Sequence, residues 1–499
     1  MAPIPLAGRR VFGLETEFGC LVRDPAVGDA EGIVHLVKDH AFLKRRLGLL
    51  DLHARDIAFE PPRTGGFLAN GGRLYIDMVG SHEEYATPEC MDLDDLLAYD
   101  RAGRVLLVDL LDDLGLTGAA SFHCNSVDHF GGHTFGCHEN YLVRIEESAF
   151  VEALVGLLPF LVTRQVYAGV GRVGGHRLTR PSSKDNVLQV GEHEIDTVWV
   201  SNFYGVEIDP TVNFQLSQRA DHIVRAISSR VRFNRAIINP KWDSYYDYEE
   251  THRLHILFGE ANMSEYAAKL KVGATVLVLD LLEMHEAPDD LGLQEPLIAL
   301  RQISRDPSLR WLVRLEDGRT LSALDIQRRY LTAADRLLSG RDAQTDWVLR
   351  EWRRTLDDLQ VNPLATADRL DWAAKRSALS RFMEAEGGSW QDDVMQSLDL
   401  EYHNVDPRDS LHAALEDAGE MPRLTSPVAV HRALTGPPQN TRAMGRSMVI
   451  EELLRHPDAR YVIDWDAVYV EDQPALLLRN PFHTYEREAA RFTQRLRRD

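Results

Sequence analysis

Two glutamates stand one residue apart in residues 11–20, a segment whose apolar and β-branched composition predicts a buried strand. Side chains at positions i and i+2 of a strand lie on the same face, so Glu15 and Glu17 are predicted to point the same way. An exposed strand face would carry such a pair without any function. The alternative is a half-buried face on which the two carboxylates hold a cation, and further acidic strands would favour it.

A second segment favours the cation hypothesis. In "RLYIDMVGSHEEYATPEC", Tyr75 and Asp77 share one face of a predicted strand, and Glu84 and Glu89 follow after a glycine turn. Several carboxylates on one sheet face repel one another unless cations lie between them. Oxygen-rich sites of this kind suit Mg²⁺, particularly where the phosphates of a nucleotide supply further ligands. The residues alone therefore predict a magnesium–nucleotide enzyme with an undetermined substrate, and Glu89 is the weaker metal candidate.

Other polar residues of the strand-rich half are candidates for phosphate contacts. "FHCNSVDHFGGHTFGCHENYL" contains Asn125 and His138, and in "THRLHILFGEANMSE" the side chains of Arg253 and His255 alternate onto one strand face. An imidazole or a guanidinium can hold phosphate oxygens. A structural role is the alternative for Asn125 and His138.

Two other motifs lead to no assignment. "GVGRVG" at residues 169–174 has the spacing GxGxxG, but no helix is predicted after it, so it does not indicate a dinucleotide site. The four cysteines show no CxxC spacing, which argues against structural zinc and against a disulfide framework.

Helix and strand patterns divide the 499 residues into a strand-rich first half and a helical region over residues 293–418. Strands are predicted at 11–20, 73–78, 121–127, 139–145, 212–216 and 253–258, and helices at 93–112 and 264–283. Glycine-rich residues 63–72 and polar residues 182–205 are predicted to be flexible loops. We predict a large catalytic domain over residues 1–425 and a small C-terminal domain over residues 426–499.

The overall charge limits the partners. A formal net charge of −21 argues against a nucleic-acid surface and against an anionic membrane as the main partner. No apolar run approaches the ~18 residues needed to cross a bilayer. A soluble cytoplasmic protein is expected.

The motifs, taken in order, resemble one family. "GLETEFG", "NGGRLYIDMVGSHEEYATPEC", "FGCHENYL", "FQLSQRADH", "RLHILFGEANMSE", "ALDIQRRY" and "PPQNTRA" are similar to the Pup ligase and Pup deamidase (PafA and Dop) family. The matches run from residue 11 to about residue 482. The resemblance implies an α+β fold like that of glutamine synthetase and the related carboxylate–amine ligases. Such a fold has a curved, mainly antiparallel sheet that forms a cradle packed with helices, and a small C-terminal domain.

The resemblance also implies the chemistry. Family members bind ATP and Mg²⁺. The ligase phosphorylates the side-chain carboxylate of the C-terminal glutamate of Pup, a disordered protein tag, and a lysine of a target protein then attacks to form an isopeptide bond. The deamidase hydrolyses the amide of the tag's terminal glutamine and removes tags.

The family's roles carry over residue by residue. Asp77 matches the catalytic aspartate. The resemblance implies that the metal is bound by Glu15, Glu17, Tyr75 and Glu84. It implies nucleotide or phosphate contacts for Tyr75, Asn125, His138, Arg253, His255 and Arg442.

The ligase is the favoured member of the family. "DMVGSHEEYATPEC" resembles the ligase pattern "DxGSHPEYATAEC", whereas deamidases tend to have "DHAHPEYSSPE". The sequence "NPFHTYEREAARF" also resembles the ligase ending. A deamidase or depupylase is the alternative, and a small-molecule glutamate–amine ligase and a non-enzymatic binding role are alternatives of other classes.

One departure concerns the tag. The family's "NTRDEPHAD" stretch is "NPKWDSYYD" at residues 239–247, where Lys241 replaces an arginine, and the segment 174–213 is longer than usual. Lysine and arginine do not bind carboxylates equivalently. The hypothesis that follows is a Pup-like modifier instead of ordinary Pup.

Overall fold

The structure is a computed structural model that describes residues 9–55, 60–77, 82–129, 133–179, 205–228, 235–240 and 251–496. The segment 182–204 and Lys241, about which the sequence raised expectations, lie outside the described residues.

One ten-stranded sheet organises the first half of the described chain. Its strands are β1 (Phe12–Val22), β2 (Gly48–Leu50), β3 (Gly65–Leu68), β4 (Arg73–Asp77), β5 (His82–Ala86), β6 (Ala120–His123), β7 (Cys137–Val143), β12 (Arg225–Ile227), β13 (Ala236–Pro240) and β14 (His252–Ile256). The order is β12-β13-β14-β7-β1-β5-β4-β3-β2, and β6 pairs with the end of β1. Only β12 and β13 pair in parallel among these strands. The predicted α+β fold with a mainly antiparallel sheet is confirmed.

Smaller sheets complete the strand inventory of the described residues. They comprise β8 (Arg172–Val173) with β11 (Phe214–Gln215), β9 (His176–Thr179) with β10 (Gly205–Ile208), β15 (Leu312–Arg314) with β16 (Thr320–Ser322), and β17 (Tyr461–Ile463), β18 (Ala467–Val470) and β19 (Leu476–Leu477).

The α-helices of the described residues are α1 (Ala30–Asp39), α2 (Leu93–Asp113), α3 (Glu147–Thr163), α4 (Gln165–Ala168), α5 (Glu265–Glu283), α6 (Pro296–Arg305), α7 (Ala323–Leu338), α8 (Ala343–Val361), α9 (Asp371–Glu386), α10 (Asp393–Tyr402), α11 (Leu411–Asp417), α12 (Pro427–Thr435), α13 (Ala443–Leu453) and α14 (Glu486–Leu496). The predicted helical region is confirmed, apart from the unpredicted hairpin β15–β16. Ser264 caps α5 as predicted, because its side chain accepts a hydrogen bond from the N–H of Ala267.

Strand alternation separates a core face from a site face. On β1, Leu14 and Phe18 are buried at 4% and 1% exposure in two apolar clusters. Because alternate side chains point to opposite faces, Glu15 and Glu17 lie on the other face. The helix α5, almost fully buried, contributes Leu270 and Leu277 to the core on the Leu14 side. The helical layers therefore support the sheet from one side and leave the acidic face free for chemistry.

The predicted flexible loop at residues 63–72 is wrong, because it contains β3. Its glycines are required by close strand packing. A Cβ on Gly65 would lie 2.1 Å from the Cβ of Tyr75, and a Cβ on Gly66 would lie 1.9 Å from the carbonyl oxygen of Leu49. Glycine here permits backbone approach within a sheet, which sequence composition does not distinguish from a turn.

The C-terminal segment has its own apolar cluster, formed by α13, α14 and the strands β17–β19. Phe67 of β3 belongs to the same cluster and makes an edge contact with Trp465, with ring centroids 4.9 Å apart. The helix α12 instead packs Val430 and Ala433 into the main core. The domain boundary at 425/426 stays a prediction. No helix among the described residues is long and apolar enough to span a membrane.

Candidate active site

Strand register places acidic side chains in one row across three neighbouring strands. Glu17 of β1 lies opposite Glu84 of β5, and Glu84 lies opposite Tyr75 of β4. Asp77 of β4 lies opposite His82 of β5 in the same way. Paired residues share a face, so four residues predicted from the sequence and one that was not, His82, line one side of the sheet.

Glu15 is surrounded by cationic or polar side chains. Its carboxylate lies 3.5 Å from Nδ1 of His138 and 3.6 Å from Nη1 of Arg253. Burial alone would raise the pKa of Glu15, but the hydrogen bond from His138 and the charges of His255 and Arg253 outweigh burial and hold this pKa well below its usual range. Glu15 is therefore ionised at neutral pH.

The two histidines of this group are held by strand pairing and by Asn140. His138 lies opposite Glu15, and His255 lies opposite Asn140. The Oδ1 of Asn140 is 2.8 Å from Nδ1 of His255 and accepts a hydrogen bond from Arg253 at 3.0 Å. Carboxylate and imidazole atoms of Glu15, His138 and His255 all lie within 4.8 Å of one another, a spacing that suits one metal ion.

Glu17 belongs to a second group. Its Oε2 is 3.2 Å from Nδ1 of His82, and its Oε1 is 3.8 Å from Nε2 of His138. Ligand atoms of Glu17, Asp77 and His82 lie within 4.8 Å of one another. Burial opposes ionisation of Glu17, but the hydrogen bond from His82 and the charges of His138, His82 and Arg219 lower its pKa to about 2. His138 thus links the two groups.

Glu84 has the opposite electrostatics. Burial raises its pKa well above the ordinary value, and the charges of Glu17, Glu15 and Asp77 raise it further, while a hydrogen bond from Tyr75 acts against them. The pKa of Tyr75 is also raised well above its usual value, by burial and by Glu84 and Glu15. Burial and the neighbouring carboxylates thus favour the protonated form of Glu84, and a divalent cation bound beside it would favour the ionised form.

A cleft opens at the Glu15 end of the row. Residues 11–15, at the start of β1, form its floor, and its walls include Thr87, Leu142, Trp465 and Arg479. The lining combines apolar and aromatic surface with a few polar groups, the composition expected for a small-molecule pocket. Arg253 and Arg442, both predicted nucleotide contacts, line it as well.

Glu89 is not available to a metal ion. Its carboxylate accepts hydrogen bonds from Arg442 at 2.7 Å and from Arg446 at 2.6 Å. Burial opposes ionisation, but the two guanidiniums lower the pKa of Glu89 to about 2. The suggestion that Glu89 binds magnesium is therefore wrong. The carboxylate instead fixes Arg442 at the edge of the cleft.

Among the residues predicted for the site, Asn125 is found neither in the acidic row nor in the lining of the cleft. It follows β6 and is buried, and its side-chain amide donates a hydrogen bond of 2.7 Å to the carbonyl oxygen of Val127. Its assignment to a nucleotide contact stays a prediction. The hydrogen bond from Asn125 to Val127 is a structural contact.

Sequence reasoning missed His82, Trp465 and Arg479. For His82 a signal existed, because it stands two residues before Glu84 on the same predicted stretch and so shares its face. Trp465 and Arg479 reach the cleft from the C-terminal segment, more than 400 residues after β1 along the chain. No local pattern indicates a contact of that kind.

Comparisons with known proteins agree on one family. The family model described as Pup-ligase protein matches residues 10–469. The chain is 34% identical over 497 residues to the Pup--protein ligase of Paenarthrobacter aurescens strain TC1, with 96% of this chain and 97% of the relative covered. It is also 34% identical over 504 residues to the Pup--protein ligase of Sanguibacter keddieii, with 98% and 100% covered.

Solved structures show the same similarity. The complex of the prokaryotic ubiquitin-like protein Pup and its ligase PafA has a TM-score of 0.78 at 28% identity, covering 98% of this chain and 92% of that one. The Pup ligase PafA in complex with ADP has a TM-score of 0.73 at 29% identity, covering 89% of this chain and 92% of that one.

Proposed function

The chain belongs to the Pup ligase family, and we propose that it is an ATP-dependent ligase that joins Pup, or a Pup-like tag, to lysine side chains of target proteins. It phosphorylates the side-chain carboxylate of the tag's C-terminal glutamate, and the lysine then forms an isopeptide bond. The observation that carries the proposal is the row of acidic side chains, Glu15, Glu17, Asp77 and Glu84, beside a cleft that Arg253 and Arg442 line.

The nucleotide fits the cleft at the Glu15 end. The apolar strand residues and Trp465 provide surface for the base, and Arg442 and Arg479 lie at the rim. With the base there, Glu15, Arg253 and His255 are the groups beside which the phosphates would lie. Arg253 and His255 lie beside Glu15 and can donate to phosphate oxygens. The structure of a family member with ADP supports nucleotide use.

The acidic row fits magnesium. Four carboxylates converge, and the raised pKa of Glu84 records the charge that a cation would relieve. We assign Glu15, Glu17 and Glu84 as the residues that would hold Mg²⁺, with Tyr75 hydrogen-bonded to Glu84 beside them. Bound Mg²⁺ would offset the charge of the transferred phosphoryl group. His138 and His82 orient Glu15 and Glu17 through their hydrogen bonds.

Asp77 is assigned as the proton acceptor. A lysine with a pKa of about 10.4 has to lose a proton before it attacks. Asp77 is half-buried at the end of β4, and its carboxylate lies within 4.8 Å of ligand atoms of Glu17 and His82. It thus lies beside the carboxylates assigned to the metal, where it can accept the proton of the attacking lysine.

The deamidase alternative is not favoured, because the curated relatives are named Pup--protein ligase. We place the reaction in the cytoplasm, where ATP is available. The four cysteines, Cys20, Cys90, Cys124 and Cys137, are free thiols, which fits a reducing compartment.

The test uses the purified protein with ATP, Mg²⁺, a glutamate-ended tag and a lysine-bearing protein. Mass spectrometry is expected to show lysine conjugates, and the variant Asp77→Asn is expected to lose at least about 10²-fold in rate, the range of general-base catalysis. Nucleotide affinity and thermal stability of the variant should stay close to those of the wild type. Release of ammonia from a glutamine-ended tag, without conjugates, would contradict the ligase assignment.

A further inference from the structure

One buried arginine contacts a wall of the cleft without lining the cleft itself. Arg446 lies on α13 and is 0% exposed. The described residues that line the cleft include Arg442 and Trp465, and Arg446 is not among them. Because Arg446 is not part of this lining, any effect that it has on a bound nucleotide passes through a neighbouring residue.

The guanidinium of Arg446 contacts both the backbone and the ring of Trp465. Nη1 of Arg446 donates a hydrogen bond of 2.7 Å to the carbonyl oxygen of Trp465. The guanidinium carbon lies over the ring of Trp465, 4.9 Å from the ring centroid, a distance within the range of a cation–π interaction. One group therefore restrains the backbone and the indole of this residue together.

Phe67 of β3 is the third member of this contact. Its ring centroid lies 5.0 Å from the guanidinium carbon of Arg446. The same ring lies 4.9 Å from the ring of Trp465, at an interplanar angle of 79°. Arg446 thus touches two aromatic rings that also touch each other. The three side chains together limit the orientations that the indole can adopt.

Arg446 is itself held by groups from the sheet. Its Nη2 donates hydrogen bonds to Oε2 of Glu89 at 2.6 Å and to the carbonyl oxygen of Gly71 at 2.8 Å. Gly71 lies in the turn between β3 and β4, and a Cβ on it would lie 3.0 Å from the Cβ of Ala443, so α13 packs directly on this turn. The donors of a guanidinium have fixed directions in one plane. One orientation of Arg446 therefore serves Glu89, Gly71 and Trp465 together.

Trp465 stands in the connection between β17 and β18 and is half-buried. Its N–H donates a hydrogen bond of 2.8 Å to Oδ1 of Asp464, and Asp464 pairs with Arg55 at 3.0 Å. These bonds fix the backbone of the connection. Arg446 adds the contact with the indole ring, which is the part of Trp465 that a nucleotide base would meet.

We propose that Arg446 is a positioning residue for the nucleotide, because it presents the indole of Trp465 to the base. The inference rests on the proposed function, in which Trp465 provides surface for the base. A ring that is already oriented loses less side-chain freedom when a base packs against it, so an ordered indole gives a higher affinity than a mobile one. Without Arg446 the indole would populate several orientations, and affinity for the nucleotide would fall.

The test is a double-mutant cycle on the affinity for ADP. Wild type, Arg446→Gln, Trp465→Ala and the double variant are titrated with ADP and Mg²⁺ by calorimetry, well below their melting temperatures. Arg446→Gln is expected to weaken ADP binding by about tenfold, and Trp465→Ala by at least about tenfold. The double variant is expected to match Trp465→Ala within about twofold, because Arg446 acts through the indole.

The kinetics of conjugation give a second readout. Arg446→Gln should raise KM for ATP by about tenfold, as it does the dissociation constant of ADP. At saturating ATP its kcat should stay within about twofold of wild type, since Asp77 and the acidic row are unchanged. A variant that was merely less well folded would lose kcat without this change in KM.

Two controls separate positioning from stability. Phe492→Leu changes a residue of α14 in the same apolar cluster, outside the cleft lining. It should lower the melting temperature and leave ADP affinity within about twofold. Arg460→Gln removes an arginine of the same segment that pairs with Glu471 on the surface at 3.5 Å, and it should change neither quantity.

The outcomes separate this inference from the function on which it rests. An ADP affinity that is unchanged in Arg446→Gln or in Trp465→Ala would overturn the inference. Multiplied losses in the double variant would overturn it too, since they would assign the effect of Arg446 to another route, such as its neighbour Arg442. Wild-type protein that binds ADP and forms no conjugates would remove the ligase function, while the cycle on ADP would still decide the role of Arg446.

Discussion

Glu84 and Glu17 lie opposite each other on adjacent strands, yet their pKa values shift in opposite directions. Glu17 receives a hydrogen bond from His82 and the charges of nearby cations, which lower its pKa to about 2. Glu84 faces Glu17, Glu15 and Asp77 and has its pKa raised, first by burial. Both residues are glutamates, so the two pKa values differ because of the groups that surround each carboxylate. The acidic row thus combines two carboxylates with a lowered pKa, Glu15 and Glu17, with one whose pKa is raised, Glu84.

Magnesium binding should therefore depend on pH through Glu84. A carboxyl group with a raised pKa has to release its proton before it binds a metal ion, so affinity for Mg²⁺ should fall as pH is lowered through that pKa. Calorimetric titrations with Mg²⁺ in the presence of ADP, in buffers of different ionisation enthalpy, would measure the released protons. Glu84→Gln should bind more weakly and release fewer protons.

The matched control for this titration is Glu384→Gln, which changes an exposed glutamate of α9. That variant should keep the wild-type pH dependence. If Glu84→Gln released as many protons as the wild type on binding Mg²⁺, Glu84 would not be the source of those protons.

At the level of single residues, the sequence predicted what the two-residue repeat of a strand determines. Glu15 with Glu17, and Tyr75 with Asp77, each share a face because of spacing alone. The link of His138 to both glutamates depends on the register between β1 and β7, which spacing along the chain does not define.

At the level of elements, the sequence predicts those with a regular local pattern, including the short strands β4 and β14, and does not predict β3. The predicted helix at 93–112 is observed as α2 (Leu93–Asp113), because its apolar periodicity and its cap are local features. The glycines of residues 63–72 predict a loop, whereas Gly65 and Gly66 in fact permit the close contacts of β3 with β4 and β2. These contacts form only in the folded sheet.

The end of β5 is joined to α13 by a buried ion-pair cluster. Glu89 pairs with Arg442 and with Arg446, which precede and lie within α13. The pKa of Glu89 is lowered from 4.5 to about 2, a shift equivalent to roughly 3 kcal/mol of stability. Because the folded-state pKa is depressed, this stability is present above pH 4.5 and is lost as pH falls toward 2.

Glu89→Gln should lower the free energy of unfolding by about 3 kcal/mol near neutral pH, since two buried guanidiniums lose their counter-charge. Urea denaturation followed by circular dichroism would measure it, and the difference from wild type should narrow as pH falls from about 5 toward about 3. Glu471→Gln, on an exposed pair with Arg460, is the control and should change little. A difference independent of pH would show that the charge of Glu89 is not what stabilises the junction.

At the level of the whole molecule, one strand arranges the site in sequence. The cleft and the acidic row follow one another along β1, and each is completed by residues from distant segments. Trp465 and Arg479 line the cleft from the C-terminal segment, and His138 of β7 lies beside both glutamates of β1. The motifs of the sequence identified the acidic row and the family, whereas the cleft depends on the fold.

The central claim is that this site forms an acyl phosphate on the tag's terminal glutamate. Hydroxylamine traps such a species as a hydroxamate, so the most direct measurement is mass spectrometry of a glutamate-ended tag incubated with the protein, ATP, Mg²⁺ and hydroxylamine, together with assay of ADP. The expected result is tag hydroxamate and ADP in equal amounts. The same protein should form no hydroxamate when ATP is omitted. Hydrolysis of a glutamine-ended tag, with no hydroxamate and no ADP from the glutamate-ended tag, would contradict the account.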